Sequence, residues 1–243
     1  MTSTLRGARE RARSEITTAI KDEARRQLAE EGAAKLSLRA VARALGMVSS
    51  ALYRYFPSRD ELLTALIVDA YDSVGAAAEA ARDRTLTESP ARAWAEVAGA
   101  VRAWALAHPH EYALIHGSPV PGYHAPAERT VPAAARSGEA LIDVVRRAHA
   151  GPGAPAPEPV PTRLEAEAAR MIADFAGGLP ADAALALPAV WAQLYGLISF
   201  EVFGQFQRVV EERDAFFAHA VARLGTLAGI PEETPTGTDA RPA

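Results

Sequence analysis

The sequence predicts an all-α protein: a small N-terminal head of three helices containing a helix-turn-helix, followed by an all-helical body, about nine or ten helices in total. Three observations carry this. Apolar residues recur at intervals of three and four along most of the chain, alternating β-branched runs are scarce, and no Asn-Gly or Asp-Gly hairpin turn occurs.

The elements follow in order. Ile16, Ile20, Ala24 and Leu28 return every fourth residue, with Ala19 beside them, and Gly32 ends that helix. Ahead of it stand Arg6, Arg9, Arg11 and Arg13, read as a solvated arm before the first helix, with contact to phosphate or a minor groove as the alternative. Ser37 is placed to cap a second helix, which carries Leu38, Val41, Ala42 and Leu45 on one face and stops at Gly46. A short third helix is expected over 50–56. After Pro57, the run Ser58-Arg59-Asp60-Glu61 reads as a capping box opening a long helix to about Arg82, with Leu62, Leu63, Leu66, Ile67 and Ala70 on its buried face.

Further helices are expected at 90–108, 110–116, 128–150, 163–176, 188–210 and 213–228, the first carrying Trp94, Val97, Val101 and Trp104. The proline- and glycine-rich stretches 117–123 and 151–161 break this pattern and read as loops. The chain thus divides into an arm and head at 1–57, a helical body at 58–230, and a tail at 231–243 expected to be disordered.

Composition limits the chemistry. With 243 residues, 49% of them hydrophobic, the chain is long enough for a large core. It contains no cysteine, so disulfides, thiolate zinc sites and cysteine nucleophiles are excluded. The N-terminus is polar and arginine-rich, without the apolar stretch of a signal peptide, and no uninterrupted apolar run approaches the roughly 20 residues of a membrane span. A soluble cytoplasmic protein is expected. The net charge of −4 hides a division: residues 1–63 hold 12 Lys/Arg against 8 Asp/Glu, and the remaining 180 hold 14 against 22. A basic head on an acidic body suits a phosphate-facing module, although a chance asymmetry of surface charge gives the same numbers.

The run from Ser37 to Arg59 has the spacing of a helix-turn-helix. Leu45, Met47, Leu52 and Phe56 point inward, leaving Ser49, Ser50, Tyr53 and Tyr55 outward, where the second helix of such a motif enters the major groove. Other helical proteins share this spacing, so by itself it leaves both DNA binding and a plain structural hairpin open.

The run from Gly46 to Leu63 resembles the signature of the TetR family of bacterial transcriptional regulators, in its Ala51-Leu52-Tyr53 core, Phe56-Pro57-Ser58, the basic Arg59 and the Glu61-Leu62-Leu63 continuation. Gly32, Ser37, Val41-Ala42 and Leu45-Gly46 also fall at the family's positions, so the resemblance covers about residues 13–68. It implies a ligand-responsive regulator, expected to be a repressor that binds a palindromic operator as a homodimer and is released by a small-molecule effector, with no cofactor and no enzymatic activity. The DNA contacts it implies are Ser37, Arg39, Ser49, Ser50, Tyr53, Arg54, Tyr55 and Arg59, the last as a phosphate clamp where the family usually has Lys. Val48 departs from the Ser or Thr common in the family, which points to capping by Ser49. Base readout is then thin, and Arg39, Arg54 and DNA shape carry much of the specificity.

The C-terminal region is similar to a subgroup with a Trp, then His-Gly pattern, here Trp191, Tyr195 and Gly196; 108–112 and 119–123 also resemble that subgroup. The resemblance makes 58–230 a ligand-binding and dimerisation domain. Trp104, Tyr112, His116, Tyr123, Phe175 and Trp191 are candidates to line the pocket. Leu194, Ile198, Val202 and Phe206, with Phe203 beside them, form the stripe expected at the dimer interface.

Two rival readings compete with this one. His108, His110, His116 and His124 invite a metal or hydrolase reading, but their spacings of two, six and eight across Pro and Gly match no helical ligand pair, and no nucleophile elbow, phosphate loop or dinucleotide fingerprint is present. A helical adaptor that binds protein would be distinguished by failing to bind any DNA at low salt.

Overall fold

A computed structural model describes residues 2–232. Of the expected tail, 233–243 lie outside the described residues, as does the Arg6 side chain. Among the described residues there are ten α-helices and no strands: α1 Thr2–Glu31, α2 Leu38–Ala44, α3 Ser49–Leu52, α4 Arg59–Arg84, α5 Pro90–Ala107, α6 Pro109–His116, α7 Ala127–Ala150, α8 Thr162–Asp174, α9 Ala181–Val202 and α10 Arg213–Leu227, with a 3₁₀ turn at Ala33–Lys35.

The helices form two compact units: one of residues up to Ser73 with Ala107–Ala134, the other of Val74–Leu106 with the chain from Ala135. In the N-terminal unit, Ile20, Ala24 and Leu28 of α1 are buried with Leu38, Val41 and Ala42 of α2, Leu52 of α3 and Leu62, Leu63 and Leu66 of α4. Burying each of the larger side chains stabilises this core by about 1.5–3 kcal/mol. Leu114, Val120 and Tyr123 pack against the same core, and the Tyr123 hydroxyl lies 2.8 Å from Thr64 Oγ1. The segment 107–134, which the sequence divides off into the body, therefore closes the core of the head. Ion pairs reinforce it: Lys21 and Arg25 both reach Asp69, at 2.8 and 2.7 Å, and Arg25 also reaches Glu111 at 3.1 Å.

The N-terminal arm is not an arm. α1 starts at Thr2, so Arg9, Arg11 and Arg13 lie within it. The segment 8–15 contains only Ala, Arg, Glu and Ser, good to moderate helix formers without a Pro, and nothing ends the periodic helix there.

In the C-terminal unit, α5 buries Trp94, Val97, Val101 and Trp104, and Trp94 Nε1 donates to the Val221 carbonyl of α10 at 2.8 Å. α9 packs against α8 and α10. It begins at Ala181, one turn and more before the expected start, and carries Pro188 in its interior. It ends at Val202 rather than near 210, because Gly204 takes φ +79° and the amides of Gly204 and Gln205 close back on Glu201 and Phe200. By length and composition α9 could cross a membrane. Leu187, Val190, Leu194 and Ile198, however, are buried in the protein itself, as in a core helix.

Candidate nucleic-acid interface

Local hydrogen bonding sets the turn between α2 and α3. Ser37 is extended (φ −134°, ψ 118°) and its Oγ accepts the Ala40 amide at 3.4 Å, capping α2. At the other end Gly46 takes φ +65°, its amide donates to Arg43 O at 3.2 Å, and that of Met47 donates to Ala42 O at 2.8 Å. A residue with a Cβ is strained at that φ, so Gly46 fixes the direction in which α3 leaves. Leu52 and Phe56 then anchor α3 in the head core, with Leu45 and Met47 packed partly against it.

Val48, 70% exposed, occupies the N-cap position of α3 without a side-chain cap. The expected shift of capping to Ser49 does not occur: Ser49 is the first helical residue, and its hydroxyl is not drawn into a cap. Ser58 does cap α4, accepting the Glu61 amide at 3.1 Å. The reciprocal half of the expected capping box is replaced, since the Glu61 carboxylate takes Arg129 at 2.8 Å.

Of the residues expected at DNA, Arg39, Ser49, Ser50, Tyr53 and Arg54 are exposed and Ser37 is half-buried. Tyr55 does not face freely outward. Beyond Leu52 the chain tightens, with Tyr55 N bonded to Leu52 O at 2.8 Å, which turns the ring toward the head core. The Arg13 guanidinium lies 5.6 Å from the centre of that ring. Arg43, exposed and four residues beyond Arg39 on α2, is a further basic group that the i, i+4 spacing would have shown. Among the described residues no carboxylate pairs with Arg39, Arg43 or Arg54, whereas Lys21, Arg25 and Arg26 of α1 are each paired. Positive potential is thereby left uncompensated beside α3.

Arg59 has a second task. Its Nε donates to Leu36 O at 3.1 Å, and its Nη2 donates to Ala33 O at 2.8 Å and Ala34 O at 3.1 Å. It thus ties down the 3₁₀ turn that leads into Ser37, and Nη1 is the edge left toward solvent and Asp60. Replacing Arg59 with Ala is expected to cost about 1–2 kcal/mol, through three partly exposed hydrogen bonds, and to weaken binding to every DNA sequence. Arg59→Lys should keep the salt dependence of DNA binding while losing the same stability. Urea midpoints and salt titrations of both variants check this, and full stability in Arg59→Lys would refute the tie.

The expected pocket residues distribute over both units. In the N-terminal unit, Tyr112 is buried, its ring 4.9 Å from that of His116, and Tyr123 bonds Thr64. In the C-terminal unit, Trp104 is buried and Trp191 stacks on Tyr195 with centroids 4.4 Å apart. The buried Tyr195 hydroxyl lies 3.0 Å from Ser137 Oγ. A Cβ on Gly138 would come within 2.9 Å of the Trp191 ring, so that glycine makes room for it. Phe175, at the end of α8, is 41% exposed. Among the described residues no group of three His, Asp or Glu is arranged to hold a metal ion.

The expected dimer stripe needs correction. Leu194 and Ile198 are wholly buried in the core of the chain itself and are not available to a partner; Val202 and Phe206 are half-buried. An apolar groove of about 400 Å³ is lined instead by Leu197 and Phe200 of α9, Phe206 after it and Leu224 of α10, with Phe200 52% exposed.

Comparison with known proteins agrees with this geometry. A family model described as bacterial regulatory proteins of the tetR family matches residues 20–66, and one described as the tetracyclin repressor-like C-terminal domain matches 94–224. The chain is 44% identical over 203 residues to the HTH-type transcriptional regulator Rv1816 of Mycobacterium tuberculosis, covering 82% of this chain and 86% of the relative. Its counterpart Mb1846 of Mycobacterium bovis matches equally. A crystal structure described as that of a regulatory protein, SCO4313, is 35% identical with a TM-score of 0.70, covering 88% of this chain and 97% of that one. The TetR family regulator PfmR of Thermus thermophilus, 21% identical with a TM-score of 0.54, shares the fold over 88% of this chain and 99% of its own.

Proposed function

Because the chain belongs to the TetR family of bacterial transcriptional regulators, we propose that it is a repressor that binds a palindromic operator as a homodimer and leaves it when a small molecule binds. The family and the named relatives are DNA-binding helix-turn-helix regulators rather than enzymes, and a cytoplasmic location follows from that role. The observation that carries the reading is the exposed set Arg39, Ser49, Ser50, Tyr53 and Arg54, held on one motif by buried Leu52 and Phe56. Arg39 and Arg54 are the long donors for base edges or phosphates, and the short serines permit close approach of the backbone.

In the proposed homodimer, α9 and α10 pair with their copies through the face containing Leu197 and Phe200, and two α3 helices fall about one helical turn apart, ~34–36 Å. The effector is proposed to enter the C-terminal unit beside Trp191. In the C-terminal unit, Trp191 and Tyr195 supply an apolar wall with a hydroxyl tip held by Ser137. α4 runs from Arg59 in the N-terminal unit into the C-terminal one and is the continuous element through which a ligand-induced tilt would reach the head. A ligand preferring the released state by ~10⁴-fold would switch the protein nearly completely.

Selection of bound fragments from random duplex DNA tests the reading. A palindrome is expected, retained by a protein that sediments as a dimer at micromolar concentration. Tyr53→Ala should lower affinity for it by about 5- to 150-fold, the worth of one good base contact, and leave the dimer intact. Failure to enrich any duplex would remove the DNA-binding role, and a monomer would remove the twofold model.

A further inference from the structure

The register of α1 changes chemistry where it passes the head. Ile20 is buried in the head core, and Ile16 packs against it. Continuing toward the N-terminus at intervals of three and four, the same stripe becomes Arg13 and then Arg9, both exposed. Arg11 and Glu15 lie on the opposite side of the helix, and Glu10 flanks the stripe. Among the described residues no carboxylate pairs with Arg9 or Arg13. The contact that Arg13 does make is to Tyr55, directly after α3, at 5.6 Å from guanidinium to ring centre. A core-facing stripe that turns from isoleucine to arginine, adjoining the last turn of the DNA-facing motif, is built to meet a polyanion continuous with the one the motif faces.

We infer that the N-terminal turns of α1 form a second DNA contact, in which Arg9 and Arg13 hold phosphates flanking the site faced by α3 and Arg13 positions Tyr55. This rests on the reading of the head as a DNA-binding module. Because α1 is a rigid helix here rather than a loose arm, the two arginines approach the duplex in a fixed register, with less ordering entropy to lose than a flexible segment has. The contact lies outside the core palindrome and extends the footprint of each protomer.

The experiment uses the full chain, its selected operator, and two duplexes: one ending at the edges of the palindrome and one with native-length flanks. Two phosphate contacts per protomer are four per dimer, so Arg9→Gln/Arg13→Gln should reduce the slope of log affinity against log salt by about 3.6 on the flanked duplex. Over a fourfold rise in salt, the wild type should then lose about 150-fold more affinity than the variant. On the truncated duplex the two proteins should have nearly the same slope, and backbone footprinting should show flank protection by the wild type alone. An unchanged slope on the flanked duplex, with the wild type binding normally, would overturn this inference and leave the operator reading standing. A wild type that binds no duplex would overturn both, and retention of an acidic protein in place of DNA would assign the stripe to another partner.

Discussion

Replacing Arg102 with Ala is expected to cost about 3–5 kcal/mol of stability, because it leaves a carboxylate buried without its cation. Arg102 on α5 donates from Nε and Nη2 to the two oxygens of Glu201 at 2.6 and 2.7 Å. The Glu201 side chain is only 6% exposed and sits in the last turn of α9. The same Nη2 reaches Asp214, in the first turn of α10, at 2.7 Å, and the guanidinium covers the Phe217 ring at 4.8 Å. Asp214 is almost fully exposed and adds little; the energy resides in Glu201. Arg102 thereby clamps the two ends of the α9–α10 connection, where Arg208 adopts φ +61°, a left-handed conformation costly for a residue with a Cβ. Removing both charges with shape retained, as Arg102→Met/Glu201→Leu, should recover most of the loss, since a buried pair is worth little more than its apolar replacement. Urea midpoints read the difference, and a loss below ~1 kcal/mol in Arg102→Ala would mark the pair as a surface one. If α9 and α10 form the dimer face, the single variant should also dissociate at a higher protein concentration than the double.

The positions where sequence and structure part share a physical origin. Backbone chemistry was legible: Ser37, Gly46 and Ser58 each act on their own neighbours, and the structure uses all three as the spacing predicts. Periodicity likewise marks α9 as apolar, but it cannot tell a face buried against the same chain from a face left for a copy. Leu194 and Ile198 therefore read as an interface when they are core, and the pattern does not single out Phe200, about 140° around the helix from them. Pro188 reads as a helix start because proline favours the first turn, yet α9 carries it within. The place of 107–134 in the head core depends on Leu114, Val120 and Tyr123 meeting residues some 50 or more positions away, which no local pattern encodes. The candidate site was legible as a list of outward residues. The commitment of Arg59 to three carbonyls and of Tyr55 to Arg13 was not, since both depend on where α1 and the 3₁₀ turn come to lie.

The N-terminal unit should carry an acid-sensitive point of its own at His116. Burial lowers its pKa from the ordinary 6.5 to about 4. The ring lies 4.9 Å from Tyr112 and 6.1 Å from Tyr71, edge-on to the latter, so protonation would place a cation among aromatic rings. A folded-state pKa below the unfolded one means that the unfolded chain binds the proton first. The contribution of the neutral ring is therefore complete above pH ~6.5, declines as the pH falls toward 4, and is gone below it. At pH 4.5 the loss should amount to about 2.5 kcal/mol relative to neutral pH. His116→Phe keeps an aromatic ring and removes the titration, so it should be the more acid-resistant protein even if it is the less stable at pH ~7.5. Urea midpoints of both proteins between about pH 7.5 and 4.5 isolate the effect, because the carboxylates common to both cancel in the difference. Parallel curves across that window would show that the ring is solvated enough to titrate normally, and the packing of Tyr112 against it would then contribute no pH dependence.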